Sequence, residues 1–189
     1  MSTQNAKLKV IYPYYNTDDE TIIELAPDQL KKGFIEEVRN TLNSKLKGKC
    51  NNFGYIKSIN RILNDSIDEQ VVIDNYIPNG DFSGKVTCKV KFNANICIPK
   101  KDDIYIAEIT KIHFSMIIAK YDSIKIVIDT INNFNNTNFK QDTKTSRLVS
   151  KKTGKFLNTG DNIYIRVIEK QIKRGSPDIV IFASLEQVL

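Results

Sequence analysis

The chain has 189 residues, 41% of them hydrophobic and 26% charged, with 8 glycines and 5 prolines. That length suits one domain or two small ones and excludes a large multidomain enzyme, while the composition excludes a collagen, a linker or a wholly disordered polymer. A net charge of +6 permits a polyanionic partner without the charge density of a histone-like binder.

Residues 8–15 and 21–25 are short apolar and β-branched runs separated by the polar segment Asn16-Thr17-Asp18-Asp19-Glu20, which predicts two strands joined by a turn. A helix follows. Pro27 suits its first position, Asp28 its positive end, and Leu30, Phe34, Val38, Leu42 and Leu46 repeat every fourth residue, with Ile35 widening the stripe. Lys45, Lys47 and Lys49 gather at the C-terminal dipole, and Gly48 is the expected stop. Strands are then predicted over 55–63 and 69–77, with turns at 64–68 and at Asn79-Gly80-Asp81. From Lys85 to Ile96 apolar and polar residues alternate, putting Val86, Cys88, Val90, Phe92, Ala94 and Ile96 on one face. Pro99-Lys100-Lys101-Asp102-Asp103 breaks the pattern, and the domain boundary is placed there, dividing the chain into 1–99 and 100–189.

The second half reads as strands over 104–112, 114–120, 124–129, 163–169 and 179–184, the count of a small all-β barrel. Between the third and fourth lies an insert, 132–158, rich in Asn, Thr and Lys and poor in apolar residues, expected to be a mobile excursion. From Lys140 to Lys155 it holds six cations (Lys140, Lys144, Arg147, Lys151, Lys152 and Lys155) and one acid, Asp142.

Little catalytic chemistry is available. His113 is the only histidine, which excludes histidine-rich metal sites and most triads. No phosphate loop or G-x-G-x-x-G is present. Glu36 and Glu37 sit about 100° apart on the helix and read as a solvated face. Cys50, Cys88 and Cys97 form neither an even set nor a C-x2-C pair, so neither a disulfide framework nor structural zinc is expected, and Cys88 falls in the core phase of its strand. No apolar run approaches the roughly 20 residues of a membrane span, and the first residues lack a leader core. The expectation is a soluble intracellular protein in a reducing compartment, with no cofactor, no metal and no membrane partner. Two glycosylation-type triplets, at Asn64 and Asn135, are read as chance products of an Asn-rich sequence.

What remains is binding. Small barrels hold single-stranded RNA through aromatic side chains that stack on bases and cations that follow the backbone. Lys111, His113, Phe114, Lys120, Tyr121, Lys125, Arg166, Lys170, Lys173 and Arg174 are the candidate RNA contacts, the last three on a basic hairpin tip.

The order of these pieces resembles the seventh-subunit (stalk) family of eukaryotic and archaeal-type DNA-dependent RNA polymerases, over most of the chain. Leu25-Ala26-Pro27 resembles the family's start before the helix. Gly48-Lys49-Cys50-Asn51-Asn52-Phe53-Gly54-Tyr55-Ile56 resembles its "G-x-C then G-Y-I" turn. Gly84-Lys85-Val86-Thr87-Cys88-Lys89-Val90-Lys91-Phe92-Asn93-Ala94 running into Pro99-Lys100-Lys101-Asp102-Asp103 resembles its central strand and the entry to its barrel. The sequence departs where Asp102 replaces a glycine, and where Ile112-His113-Phe114-Ser115 lacks one.

The resemblance implies an α+β tip domain followed by an OB-fold barrel of the S-one type. It implies a non-catalytic subunit that docks on the polymerase core near the clamp and guides nascent single-stranded RNA. Docking would use Cys50, Asn51, Asn52, Phe53, Gly54 and Tyr55 together with Asn79, Gly80, Asp81, Phe82 and Gly84. The partners implied are the largest core subunits, and the family's plan admits a fourth-subunit-like stalk partner. The excess of Ile, Asn and Lys fits an AT-rich genome such as that of a large DNA virus, which would place the protein in host cytoplasm and virion; a cellular source would place it in the nucleus. The alternatives are a free-standing OB-fold RNA-binding protein acting in translation or RNA handling, and an RNA-processing enzyme with an unrecognised site.

Overall fold

A computed structural model of the chain describes residues 8–30, 34–63, 85–113, 115–130, 139–141, 148–151, 154 and 156–189. The predicted strand over 69–77, its flanking turns and the docking residues Asn79 to Gly84 therefore lie outside the described residues, as does Phe114.

The N-terminal unit is a three-stranded antiparallel sheet backed by one helix. Its strands are β1 (Tyr14–Leu25), β2 (Tyr55–Ile62) and β3 (Val86–Cys97), in the order β1-β3-β2. The polar segment expected to be a turn is instead the middle of β1, which pairs without interruption from Tyr14↔Cys97 to Leu25↔Val86. Asn16, Asp18 and Glu20 alternate onto the face opposite buried Ile23 and Leu25, where they bond across the sheet: Asn95 donates to Asn16 at 2.9 Å, Asn93 donates to Asp18 at 2.6 Å, and Glu20 pairs with Lys89 at 3.0 Å. Cross-strand partners of this kind let residues that favour turns persist in a strand.

A 3-10 turn, Pro27–Leu30, precedes the helix α1, Phe34–Leu46. The four-residue repeat performs as expected at its centre: Val38 and Leu42 are buried, and Phe34 and Leu46 are half-buried against the same core of Ile23, Leu25, Ile56 and the inward residues of β3. Ile35 does not widen the stripe; it is 52% exposed, because one step from Phe34 turns it about 100° away from the sheet. Gly48 ends the helix with φ +78, the left-handed conformation a glycine adopts without penalty.

The C-terminal half forms a closed five-stranded barrel of β4 (Ile104–Ile112), β5 (Met116–Tyr121), β6 (Ile124–Asp129), β9 (Asn162–Gln171) and β10 (Ile179–Val188). Around the ring the order is β4-β5-β6-β10-β9 and back to β4, with β6 and β10 the one parallel pair among these five. This arrangement is consistent with an OB-like barrel. Asp102, at its entrance, has φ +68, so the aspartate adopts the glycine-type conformation that the turn requires, as Asp and Asn do more readily than most residues.

The insert departs from expectation. Two short strands, β7 (Phe139–Gln141) and β8 (Leu148–Ser150), pair with each other. Phe139, Leu148 and Leu157 are buried in the barrel's own core. The Leu157 amide donates to Leu148 at 2.9 Å, and the chain rejoins the barrel where Gly160 donates to the Ile109 carbonyl at 2.8 Å. An end of the barrel exposes the rims of inward-pointing residues, and the insert's few apolar side chains cover it. The segment expected to be a mobile excursion is thus, in its described residues, a cap.

Candidate functional site: the inter-unit junction and its cleft

The opposite end of the barrel is covered by the N-terminal unit, and this junction organises most residues of interest. Tyr14, Cys50 and Cys97 belong to the barrel's hydrophobic core although they lie in the sheet unit. The Cys50 amide donates to the Ser176 carbonyl at 2.8 Å, and the Gly175 amide donates back to the Cys50 carbonyl at 2.8 Å. The loop after α1 thereby pairs with the β9–β10 hairpin. Beside it, Tyr14 donates its hydroxyl to Asp122 at 2.5 Å, and Lys57 contacts the same carboxylate oxygen at 2.8 Å with its ammonium 4.3 Å from the centre of the Tyr14 ring.

These contacts set the electrostatics. Lys57, and then the Tyr14 hydroxyl, hold the Asp122 carboxyl below its usual range. Burial, then the hydrogen bond to Asp122, push the Tyr14 phenol well above its ordinary value. Burial raises the Cys97 thiol to about 12 and the Cys50 thiol to about 11, the latter with help from Asp178. Both cysteines remain protonated at neutral pH, the opposite of what a nucleophile or metal ligand needs. Among the described residues no group of three His, Cys, Asp or Glu side chains is placed to hold a metal ion, and no helix is long and apolar enough to cross a membrane.

The predicted docking loop divides in two. Cys50 is buried and faces the barrel, Gly54 is buried, and Tyr55 packs on the barrel core. Gly54 lies so close to β3 that a Cβ there would sit 2.1 Å from the Cys97 carbonyl oxygen, which gives the "G-Y-I" spacing its physical reason. Asn51 braces the loop: its carbonyl oxygen accepts from the Phe53 and Gly54 amides at 2.9 and 2.8 Å, and its amide donates to Asp19 at 2.8 Å. That leaves Asn52 and Phe53 pointing outward, Phe53 with 62% exposure. Phe53 overlooks a cleft of about 360 Å³ bounded by β1, the end of α1, this loop and the hairpin tip at Arg174 and Gly175. Ile22, 65% exposed, belongs to the stretch of β1 that bounds the cleft, its side chain in the outward phase shared with Glu20.

The described RNA candidates fall into two groups and three separate positions. Register places Lys120 opposite Lys125 and Lys125 opposite Val180, and in a neighbouring row Lys111 opposite Ile118, Ile118 opposite Val127 and Val127 opposite Phe182. The structure therefore brings Lys111, Lys120 and Lys125 onto one wall of the barrel, beside a half-exposed apolar row. Phe182 in that row was missed by sequence reasoning; its signal was its outward phase in β10, between buried Ile181 and Ala183. Lys170, Lys173 and Arg174 form the exposed second group, at the end of β9 and in the hairpin. Arg166 is elsewhere, bonded to Glu186 at 2.8 Å, so its charge is already paired. Tyr121 stacks on buried Tyr105 with ring centres 5.5 Å apart, which occupies one of its faces. His113 is exposed in the turn after β4, its amide donating to Met116 at 2.8 Å.

No protein-family model matches the chain. Over 172 residues, 91% of this chain and 81% of the relative, it is 25% identical to a protein of Acanthamoeba polyphaga mimivirus that carries the provisional name DNA-directed RNA polymerase subunit.

Proposed function

We propose that the chain is a non-catalytic, stalk-type subunit of a multisubunit DNA-directed RNA polymerase. The likeness to the mimivirus protein supports a polymerase subunit, and its reach over both halves of the chain is the observation that carries the reading. The fold supports the finer part of it. A sheet-and-helix unit sealed onto an OB-like barrel presents an outward loop at Asn52 and Phe53, suited to docking on the core near the clamp. The barrel wall of Lys111, Lys120 and Lys125 with Phe182 is suited to following a transcript's backbone and stacking its bases. The chain's work is positioning, its cysteines held as thiols by burial. Such a subunit acts where the polymerase does, in host cytoplasm and virion for a viral enzyme and in the nucleus for a cellular one.

The test is a polymerase prepared with and without this chain and supplied with a primed scaffold. Nucleotide addition should persist without the chain, while crosslinking of the emerging transcript to the barrel wall should require it. Loss of the phosphodiester step itself would place chemistry in this subunit and overturn the proposal. The lysine wall would serve a free-standing RNA-binding protein equally well; a chain that binds RNA yet never associates with the large polymerase subunits would favour that reading.

A further inference from the structure

The cleft below Phe53 is built from both units: β1, α1 and the loop line it from one side, Arg174 and Gly175 of the barrel hairpin from the other. It is complete only while the hairpin is paired to Cys50. Its floor includes Phe92 and Ile56, both buried, and Phe53 stands exposed at its edge.

The charges on its walls are unequally satisfied. Of the two acids, Glu20 is ion-paired with Lys89 at 3.0 Å, whereas Asp19 accepts only from neutral donors, the Asn51 side-chain amide and the Glu20 backbone amide, each at 2.8 Å. The cations Lys45, Lys49 and Arg174 have no carboxylate within salt-bridge reach among the described residues. Lys49 donates only to the Ser44 carbonyl, at 3.3 Å. The partial negative charge at the end of α1, about half an elementary charge, offsets part of the two lysines and none of Arg174. Three cations without a carboxylate partner against one acid without a cationic partner, Asp19, leave the wall net positive above an apolar floor.

We propose that this cleft receives an acidic peptide segment of a polymerase core subunit, with a large apolar side chain seated against Phe53 and its carboxylates against Lys45, Lys49 and Arg174. The partner's identity rests on the stalk reading; the chemistry of the occupant rests on the cleft alone. A peptide fits better than a nucleic acid because a continuous polyanion crossing the cleft would run past the carboxylate of Asp19, whereas a peptide alternates charge with apolar groups. Since Arg174 comes from the barrel, an occupant would also clamp the two units together.

The test uses the full chain and a fluorescent short peptide of glutamates flanking one phenylalanine. Comparison probes replace the glutamates by lysine, replace the phenylalanine by serine, or substitute oligouridylate of equal length. The glutamate–phenylalanine probe should bind, weaken with salt, and lose at least about ten-fold in affinity in the triple variant Lys45→Glu, Lys49→Glu, Arg174→Glu. Phe53→Ala, an exposed position, should weaken it by about 3- to 10-fold, as should the serine probe. Equal binding of the peptide by the wild type and the triple variant would overturn the proposal. So would oligouridylate binding with the same dependence on these residues, which would make the cleft a nucleic-acid site. Association of the full chain with the large polymerase subunits, followed in parallel, separates the two claims. A wild type that fails to associate sinks the stalk reading, whereas a triple variant that associates as well as the wild type sinks only the cleft.

Discussion

Gly54→Ala probes the close approach that joins the docking loop to β3 and, through it, to the barrel. The added methyl would lie 2.1 Å from the Cys97 carbonyl oxygen, 2.9 Å from Ile96 Cγ2 and 3.1 Å from the Cys97 carbonyl carbon, where ordinary contact begins near 3.4 Å. Relief needs a shift of more than 1 Å between backbones that pair at Tyr55↔Cys97, and Cys97 is itself packed in the barrel core. Overpacking against backbone in a site this confined should cost about 3 kcal/mol, which for a chain of this size lowers the melting temperature by roughly 6–12 °C. Gly160→Ala is the control: it has φ +91 with nothing within 4 Å, so it pays only the left-handed backbone penalty of about 1–2 kcal/mol. Calorimetry measures both, and amide exchange at Cys50 and Gly175 reports whether the junction loosens. A Gly54→Ala protein that melts with the wild type, its Cys50 and Gly175 amides still protected, would refute the close approach and the bracing role given to the loop.

Stability should fall at both ends of the pH scale. The Asp122 carboxyl is held low by Lys57 and Tyr14, so its contribution is present above about pH 4 and lost below it; the Tyr14, Cys50 and Cys97 protons are held tightly in the fold, so their contribution is present at neutral pH and declines from about pH 8.5 upward, as the unfolded chain ionises first. Denaturant titrations across pH should show the acid limb reduced in Asp122→Asn and the part above about pH 10 reduced in Tyr14→Phe. Leu148→Ala, in the cap, should cost about 2–5 kcal/mol by cavity formation, seen as a lower denaturation midpoint; an unchanged midpoint would restore the mobile reading of the insert. Replacing Lys111, Lys120 and Lys125 by Ala should flatten the log–log salt dependence of single-stranded RNA binding by about two units, at near 0.7 per phosphate contact. If only Lys170, Lys173 and Arg174 carry that slope, the RNA track lies on the hairpin.

Patterns that repeat along one element were legible in the sequence. The alternation of β3 and the spacing of Val38 and Leu42 each report a single face of a single element, and Cys88, Val90, Phe92, Ala94 and Ile96 on the one and Val38 and Leu42 on the other are buried as read. β1 was misread because its polar half obeys a pairing rule: Asn16 and Asp18 are strand residues only by virtue of Asn95 and Asn93, which lie more than seventy positions away. The cap was missed because its apolar residues are few, and density, which the eye reads, says nothing of placement at an open barrel end. The loop from Cys50 to Tyr55 was singled out as one segment, yet the inward turn of Cys50 is decided by Ser176 and Asp178, the latter 128 positions later. Asp102 shows the converse. Where the resemblance led one to expect a glycine, Asp102 takes a left-handed φ of 68, which aspartate meets more readily than most residues.

The central claim is membership of a polymerase, and the most direct measurement is the subunit stoichiometry of the complex that a tagged full-length chain brings out of the cells or particles that make it. The account predicts the large polymerase subunits in equal molar amount to the chain, retained through gel filtration and lost or diminished with Phe53→Ala combined with reversal of Lys45, Lys49 and Arg174. Recovery of the chain alone, or with RNA but without those subunits, would contradict it.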